Sequence, residues 1–188
     1  MNIYAWIVAA SWATFLIVWV VTSFGAKRDI GGTSWLRSRW LRAVLALLIV
    51  GWVLERVRLG NASIHVGLWT PGLLPAIGSI LCVAGIALAI WARLHLGRNW
   101  SPAPALKEGH ELVTSGPYRL VRHPIYTGII TALFGSGLVS IAALIALAVV
   151  GGMFIWRVGA EERLMLQQFP DAYPEYKRHT WALIPHVW

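Results

Sequence analysis

An all-α, polytopic membrane fold with about five transmembrane helices is what this sequence predicts, and three observations predict it. Of the 188 residues, 57% are apolar and only 13% are charged, where a soluble domain carries about a quarter charged. The mean hydropathy is +0.63, and uncharged runs approach the roughly 20 residues that a helix needs to cross hydrocarbon. Twelve residues are Trp, and Trp12, Trp19, Trp35, Trp40, Trp52, Trp69 and Trp100 sit within or beside the ends of apolar runs, where hydrocarbon meets headgroups. The composition excludes a disordered or collagen-like chain. It also excludes a disulfide scaffold, because the single cysteine, Cys82, lies inside an apolar run with no partner.

The apolar segments fall at about 3–24, 40–58, 72–96, 125–137 and 139–157. The first has no basic segment before it and is followed by Lys27 and Arg28, so it reads as a retained span and not as a cleaved signal. The last two segments are short for full crossings. Gly135, Ser136 and Gly137 lie between them, which predicts a tight helical hairpin that crosses tilted or only in part.

The net charge of +8 could suggest nucleic acid, but the basic residues fall between the spans. Lys27, Arg28, Arg37 and Arg39 occupy the first loop, Arg98, Lys107, Arg119 and Arg122 the third, and Arg163, Lys177 and Arg178 follow the last span. The opposite side has only Arg56 and Arg58 in the second loop and nothing charged near Gly137. The excess of Lys and Arg on cytosolic loops then puts the N-terminus outside, and the third loop and C-terminus in the cytosol.

The character of the chain changes near residue 97. Residues 1–96 read as a membrane scaffold of three spans with few polar groups, and residues 97–188 hold most of the remaining His, Glu, Arg, Tyr and Pro. The polar segments 97–134 and 155–186 flank the predicted hairpin on one side, so the hairpin brings them together.

The first of these segments holds His110-Glu111-Leu112-Val113, a Ser115-Gly116-Pro117 turn before Tyr118, and Arg122-His123-Pro124-Ile125-Tyr126. Pro124 suits the first turn of a helix, where its missing N–H costs nothing. His123 then stands at a helix mouth, a place that attracts anionic groups. Equally, Arg119, Arg122 and His123 could anchor a helix end to lipid phosphates, with Tyr126 an interfacial aromatic. In the second segment Arg157 and Glu161 are i and i+4 and share a helical face, while Glu162 points about 100 degrees away. A plain intrahelical ion pair beside a solvated Glu162 and Arg163 accounts for this too. The pair nevertheless follows directly on an apolar run, where ionisable groups are costly unless they face a cavity.

The combination His110-x-Leu112-Val113-x-x-Gly116-x-Tyr118, Arg122-His123-Pro124-x-Tyr126-x-Gly128 and Glu161-Glu162-x-Leu164, followed by Phe169, Tyr173 and Tyr176, resembles the isoprenylcysteine carboxyl methyltransferase family of integral membrane enzymes. The resemblance covers roughly residues 97–186, and the N-terminal half carries no comparable signature. It implies an S-adenosylmethionine-dependent methyltransferase built without a Rossmann domain, with S-adenosylhomocysteine as product. In keeping with that, the chain has no G-x-G-x-x-G motif. Residues 97–188 become the catalytic region: a cofactor-binding loop, the hairpin and a cytosolic C-terminal segment, with the cofactor site between the third loop and that segment.

Carried onto this chain, the resemblance assigns cofactor contacts to His110, Glu111, Leu112, Val113, Tyr118, His123, Pro124, Ile125, Tyr126 and Glu161. It assigns substrate positioning to Arg157, with Arg157 and Glu161 as the catalytic pair. Asn99 also matches a polar position of the family. Where eukaryotic members have a cofactor-contacting glutamine, an ungapped reading places Ala103.

The expected acceptor is lipophilic, enters from the bilayer, and carries a carboxylate like that of an isoprenylcysteine. A phospholipid amine is one alternative, and an NADPH-dependent sterol-reductase-like enzyme, with a similar His-Pro-x-Tyr segment, is another. A membrane protein whose polar clusters only anchor it is a third. The six His show no H-x-x-x-H spacing, so no metal is expected, and the placement of the basic residues between the spans leaves no nucleic acid expected either.

Overall fold

A computed structural model describes residues 3–23, 72–100 and 111–188. The predicted span at 40–58, the first loop, nearly all of the second loop, Ala103 and His110 lie outside these residues. Five α-helices are described: α1 (Ile3–Ser23), α2 (Leu73–Leu96), α3 (Pro124–Gly137), α4 (Ile141–Gln168) and α5 (Ala172–Arg178). Short 3-10 turns cover Gly97–Asn99 and Gly116–Arg119. Among the described residues the only β pairing is an isolated parallel bridge between Val121 and Trp181. Among the described residues, three helices are long and apolar enough to cross a membrane, namely α1, α2 and α4 over Ala143–Gln168.

The helix α1 meets the expected first span closely, and its hydroxyls suit an apolar setting. Ser11, Thr14 and Thr22 each donate to the carbonyl four residues earlier, at 2.8, 2.9 and 2.8 Å, so none carries an unpaired donor into hydrocarbon. Its Trp12, Phe15 and Trp19 form an aromatic ladder. Val8 and Phe15 pack into a core with Cys82, Ile86, Ala89 and Ala132.

That core depends on small residues where α2 crosses α3. A Cβ added to Gly85 would lie 2.5 Å from the carbonyl oxygen of Gly128, and one added to Gly128 would lie 2.6 Å from that of Gly85. The two backbones touch, as membrane helices do when small side chains face each other. One heptad further down, Gly78 and Gly135 repeat the contact, and beside them Trp12 Nε1 donates to Ser136 Oγ at 3.0 Å.

The helix α3 begins at Pro124, in its first turn as expected, with His123 as N-cap. Residues 138–140 turn the chain into α4, tied by Ser140 N–H to Ser136 O at 2.8 Å. The helix α4 does not end near 157 but continues to Gln168. Hydropathy falls at Arg157, whereas the residues after it (Ala160, Glu161, Glu162, Arg163, Leu164, Met165) are strong helix formers, so backbone hydrogen bonding carries on through the polar cluster. Phe154, Val158 and Glu162 form the buried stripe of α4 at i, i+4 and i+8, while Ile145, Val149, Ile155 and Trp156 are exposed and face outward as lipid-facing side chains do.

After α5 the chain returns to the start of α3. Arg122 N–H donates to Trp181 O at 2.8 Å, His123 N–H to Ala182 O at 3.1 Å and Thr127 Oγ1 to Leu183 O at 2.7 Å. The tail is thereby stitched to the Arg-His-Pro segment.

Candidate active site

Arg122 and His123 reach the site because Pro124 starts α3 directly after them. Glu161 and Glu162 reach it because α4 runs on past its apolar part. The two polar segments, far apart in sequence, meet here. Glu161 Oε1 accepts from Arg157 Nε at 2.7 Å and from the Tyr126 hydroxyl at 2.6 Å, and Oε2 lies 3.4 Å from His123 Nδ1. Tyr126 stacks between His123 and Phe154, with centroids 5.5 and 4.2 Å away, and the Arg157 guanidinium lies 5.8 Å from its ring.

Glu162 is not solvated but buried, at 8% exposure. It accepts from Arg122 Nε at 2.7 Å through Oε1 and from Lys177 Nζ at 2.6 Å through Oε2. Arg122 also donates to the Thr180 carbonyl, so one carboxylate ties the third-loop segment, α4 and the tail together. His123 Nε2 stands 3.8 Å from Glu162 Oε1, too far for a hydrogen bond, and is buried without a partner. Burial opposes a charge on His123, but the carboxylates of Glu161 and Glu162 outweigh it and raise the imidazole above its ordinary value.

Beside this cluster is a cavity of about 150 Å³, whose walls include Leu96, Asn99, Trp100, Glu111, Leu112, Val113, Tyr118, Arg122, His123, Ile125, Tyr126 and Glu161. Leu164, Met165, Tyr173 and Tyr176 complete the lining. The enclosed space is below the roughly 300–1,000 Å³ usual for small-molecule sites, and both flanks of residues 101–110, Trp100 and Glu111, stand on its wall. Burial raises the Tyr118, Tyr173 and Tyr176 hydroxyls, which therefore stay protonated donors at neutral pH. Tyr176 uses its hydroxyl to hold the Tyr118 carbonyl at 2.6 Å.

Of the residues singled out from the sequence, Glu111, Leu112, Val113, Tyr118, His123, Ile125, Tyr126, Glu161 and Asn99 all line this cavity. Pro124 is fully buried and is not among the lining residues. Arg157 is not a wall residue either, and joins the site through its bond to Glu161. His110 lies outside the described residues. Sequence reasoning missed Trp100, Arg122, Tyr173 and Tyr176 as walls and Glu162 as the buried tie. Arg122, Glu162 and the two tyrosines each had a signal in the quoted motifs, and Trp100 had only its place beside an apolar run. No group of three or more potential metal ligands occurs among the described residues.

A helical membrane protein with a carboxylate-bearing, tyrosine-rich cavity at one end of its bundle is the class these features define. Over residues 78–167 the chain matches the sequence model of the isoprenylcysteine carboxyl methyltransferase (ICMT) family. Among curated relatives, the cobalt-zinc-cadmium resistance protein CzcN of Cupriavidus metallidurans is 29% identical over 148 residues, 74% of this chain and 62% of that protein. Protein-S-isoprenylcysteine O-methyltransferase B of Arabidopsis thaliana is 30% identical over 115 residues, 58% of each chain. A probable protein-S-isoprenylcysteine O-methyltransferase of Oryza sativa subsp. indica is 26% identical over 190 aligned residues, 97% of this chain and 96% of that one. The chain spans less than two thirds of the length of the resistance protein and of the Arabidopsis enzyme.

Proposed function

We propose that this protein is an S-adenosylmethionine-dependent membrane methyltransferase whose acceptor is a lipid-borne carboxylate of an isoprenylcysteine-like amphiphile. The observation that carries the reading is the meeting of the Arg-His-Pro-x-Tyr and Glu-Glu-x-Leu segments around one cavity. The match to the ICMT family over residues 78–167 and the relatives named as isoprenylcysteine methyltransferases support it.

The residues present fit such a cofactor. Glu111 and Glu161 can accept from amino or hydroxyl groups, the unpartnered Nε2 of buried His123 can donate, and Trp100 and Tyr118 offer flat apolar faces. When bound, S-adenosylmethionine supplies a sulfonium methyl that needs no acid catalyst to leave, so the protein contributes positioning, charge balance and exclusion of water.

Glu161 places a fixed negative charge on the cavity wall. Tyr126 and Arg157 occupy one of its oxygens and orient the other. The Arg157 guanidinium donates through Nε to Glu161 and also interacts with the Tyr126 hydroxyl. Its remaining nitrogens form a planar fork suited to a carboxylate, and they sit where the apolar length of α4 ends. A carboxylate held there is desolvated and more reactive. In this reading the acceptor arrives laterally from the bilayer and the cofactor from the cytosol, with the polar site cytosolic and residues 1–96 acting as scaffold.

Calorimetry in detergent tests the cofactor, and radiolabelled methyl transfer to a prenylcysteine lipid tests the acceptor. S-adenosylhomocysteine should bind and NADPH should not; NADPH binding without the former would reject the reading. Arg157→Ala should lower methyl transfer by about 100-fold through misplacement of the acceptor and leave the cofactor affinity in place. Equal loss of both would show that Arg157 does not hold the acceptor.

A further inference from the structure

The largest fully buried side chain among the described residues is that of Arg93, 1% exposed on the last turns of α2. A guanidinium stays charged at any working pH, and a charge at membrane depth is costly unless partnered. No carboxylate pairs with it among the described residues. Instead Nη2 donates to the Thr22 carbonyl at 2.6 Å and Nη1 to the Gly97 carbonyl at 2.9 Å. Both acceptors sit at helix C-terminal ends, where the dipoles are negative.

These bonds leave Nε without a partner. The aromatic surroundings account for that orientation: the guanidinium carbon lies 4.3 Å from the Trp100 ring centroid and 5.9 Å from that of Trp19, and the two rings meet edge-on at 5.5 Å. Trp100 lines the cavity and Arg93 does not.

We propose that Arg93 is a positioning residue of the cofactor site. It fixes Trp100 as the aromatic wall of the cavity and, through Thr22, ties α1 to that wall. This rests on the reading that the cavity holds S-adenosylmethionine. A helix staple needs only donors to two carbonyls, which an ammonium also supplies, whereas a flat cation against an indole needs the guanidinium plane. Arg93→Lys therefore separates the two roles.

The experiment compares wild type, Arg93→Lys, Trp100→Ala and the double variant in detergent. It reads melting temperature, S-adenosylhomocysteine affinity, and oxidation of Trp100 by hydroxyl-radical footprinting. Arg93→Lys should melt within a few degrees of wild type, bind the product about ten-fold more weakly, and raise the oxidation of Trp100. The double variant should bind no more weakly than Trp100→Ala alone, and the acceptor KM should not change. Unchanged affinity, additive losses, or unchanged Trp100 oxidation in Arg93→Lys would overturn the inference. Wild type that binds no S-adenosylhomocysteine would overturn the reading of the cavity instead, and the footprint would still decide whether Arg93 places Trp100.

Discussion

Glu162 shows how much rests on one carboxylate when its neighbours are buried. It is the shared partner of Arg122, from the segment before α3, and Lys177, from α5. Replacing it with Gln leaves the Arg122 guanidinium, 8% exposed, without its counter-charge. Because Lys177 is about half exposed and screened, the loss should fall near the low end of a broken buried pair, on the order of 3 kcal/mol, read as a lower melting temperature in detergent. Glu175→Gln, which removes the exposed pair with Arg178, should leave melting unchanged, and equal effects of the two would show that the tail is not tied through Glu162. His123 adds a pH dependence. Its folded value is raised by the two carboxylates, so its contribution is complete below the ordinary value of about 6.5 and fades as pH rises through the higher folded value. The melting difference between wild type and His123→Gln should therefore shrink from pH 6 to pH 9. A difference that stays constant would show that the imidazole is not charged in the fold. The Arg157–Glu161 pair was legible from spacing alone. The role of Glu162 was not, because its partners come from other elements and a local pattern cannot specify them.

Among the elements, the α2–α3 contact is set by backbones that touch, so its sensitivity is steric. Gly128→Val would push its branched side chain against Gly85 O and Ala89, an overpacking cost of about 3 kcal/mol. Gly152→Ala, on the exposed side of α4 with nothing within 4 Å of the added Cβ, should stabilise by about 0.5–1 kcal/mol, because Ala loses less backbone freedom than Gly on joining a helix. Thermal unfolding in detergent should move in opposite directions for the two variants; a Gly128→Val protein as stable as wild type would mean that the helices do not approach this closely. Helix starts were easy to read, since Pro124 marks one and the uncharged runs mark others. The far end of α4 was not, because apolarity stops at Arg157 while helix propensity continues to Gln168. The glycine contact was invisible for a different reason: a heptad-spaced small residue looks the same whether it faces lipid or another helix.

For the whole molecule, the lengths of the helices decide how deep the site's supporting hairpin reaches. The 14 residues of α3 rise about 21 Å, and the apolar part of α4 from Ile141 to Trp156 rises about 24 Å, both short of the roughly 30 Å hydrocarbon core. If His123 and Arg157 stand at one interface, the turn at residues 138–140 should end inside the opposite leaflet. In the proposed orientation the exposed Thr114 faces the cytosol. Single-cysteine labelling with a membrane-impermeant maleimide reads both points, because the native Cys82 is fully buried and stays silent. Thr114→Cys should react from the cytosolic face of oriented vesicles, and Ser140→Cys should react from neither face until detergent opens the bilayer. Rapid labelling of Ser140→Cys from outside would mean that the hairpin crosses fully. Labelling of Thr114→Cys from outside would invert the molecule, leaving its cavity facing away from a cytosolic supply of methyl donor.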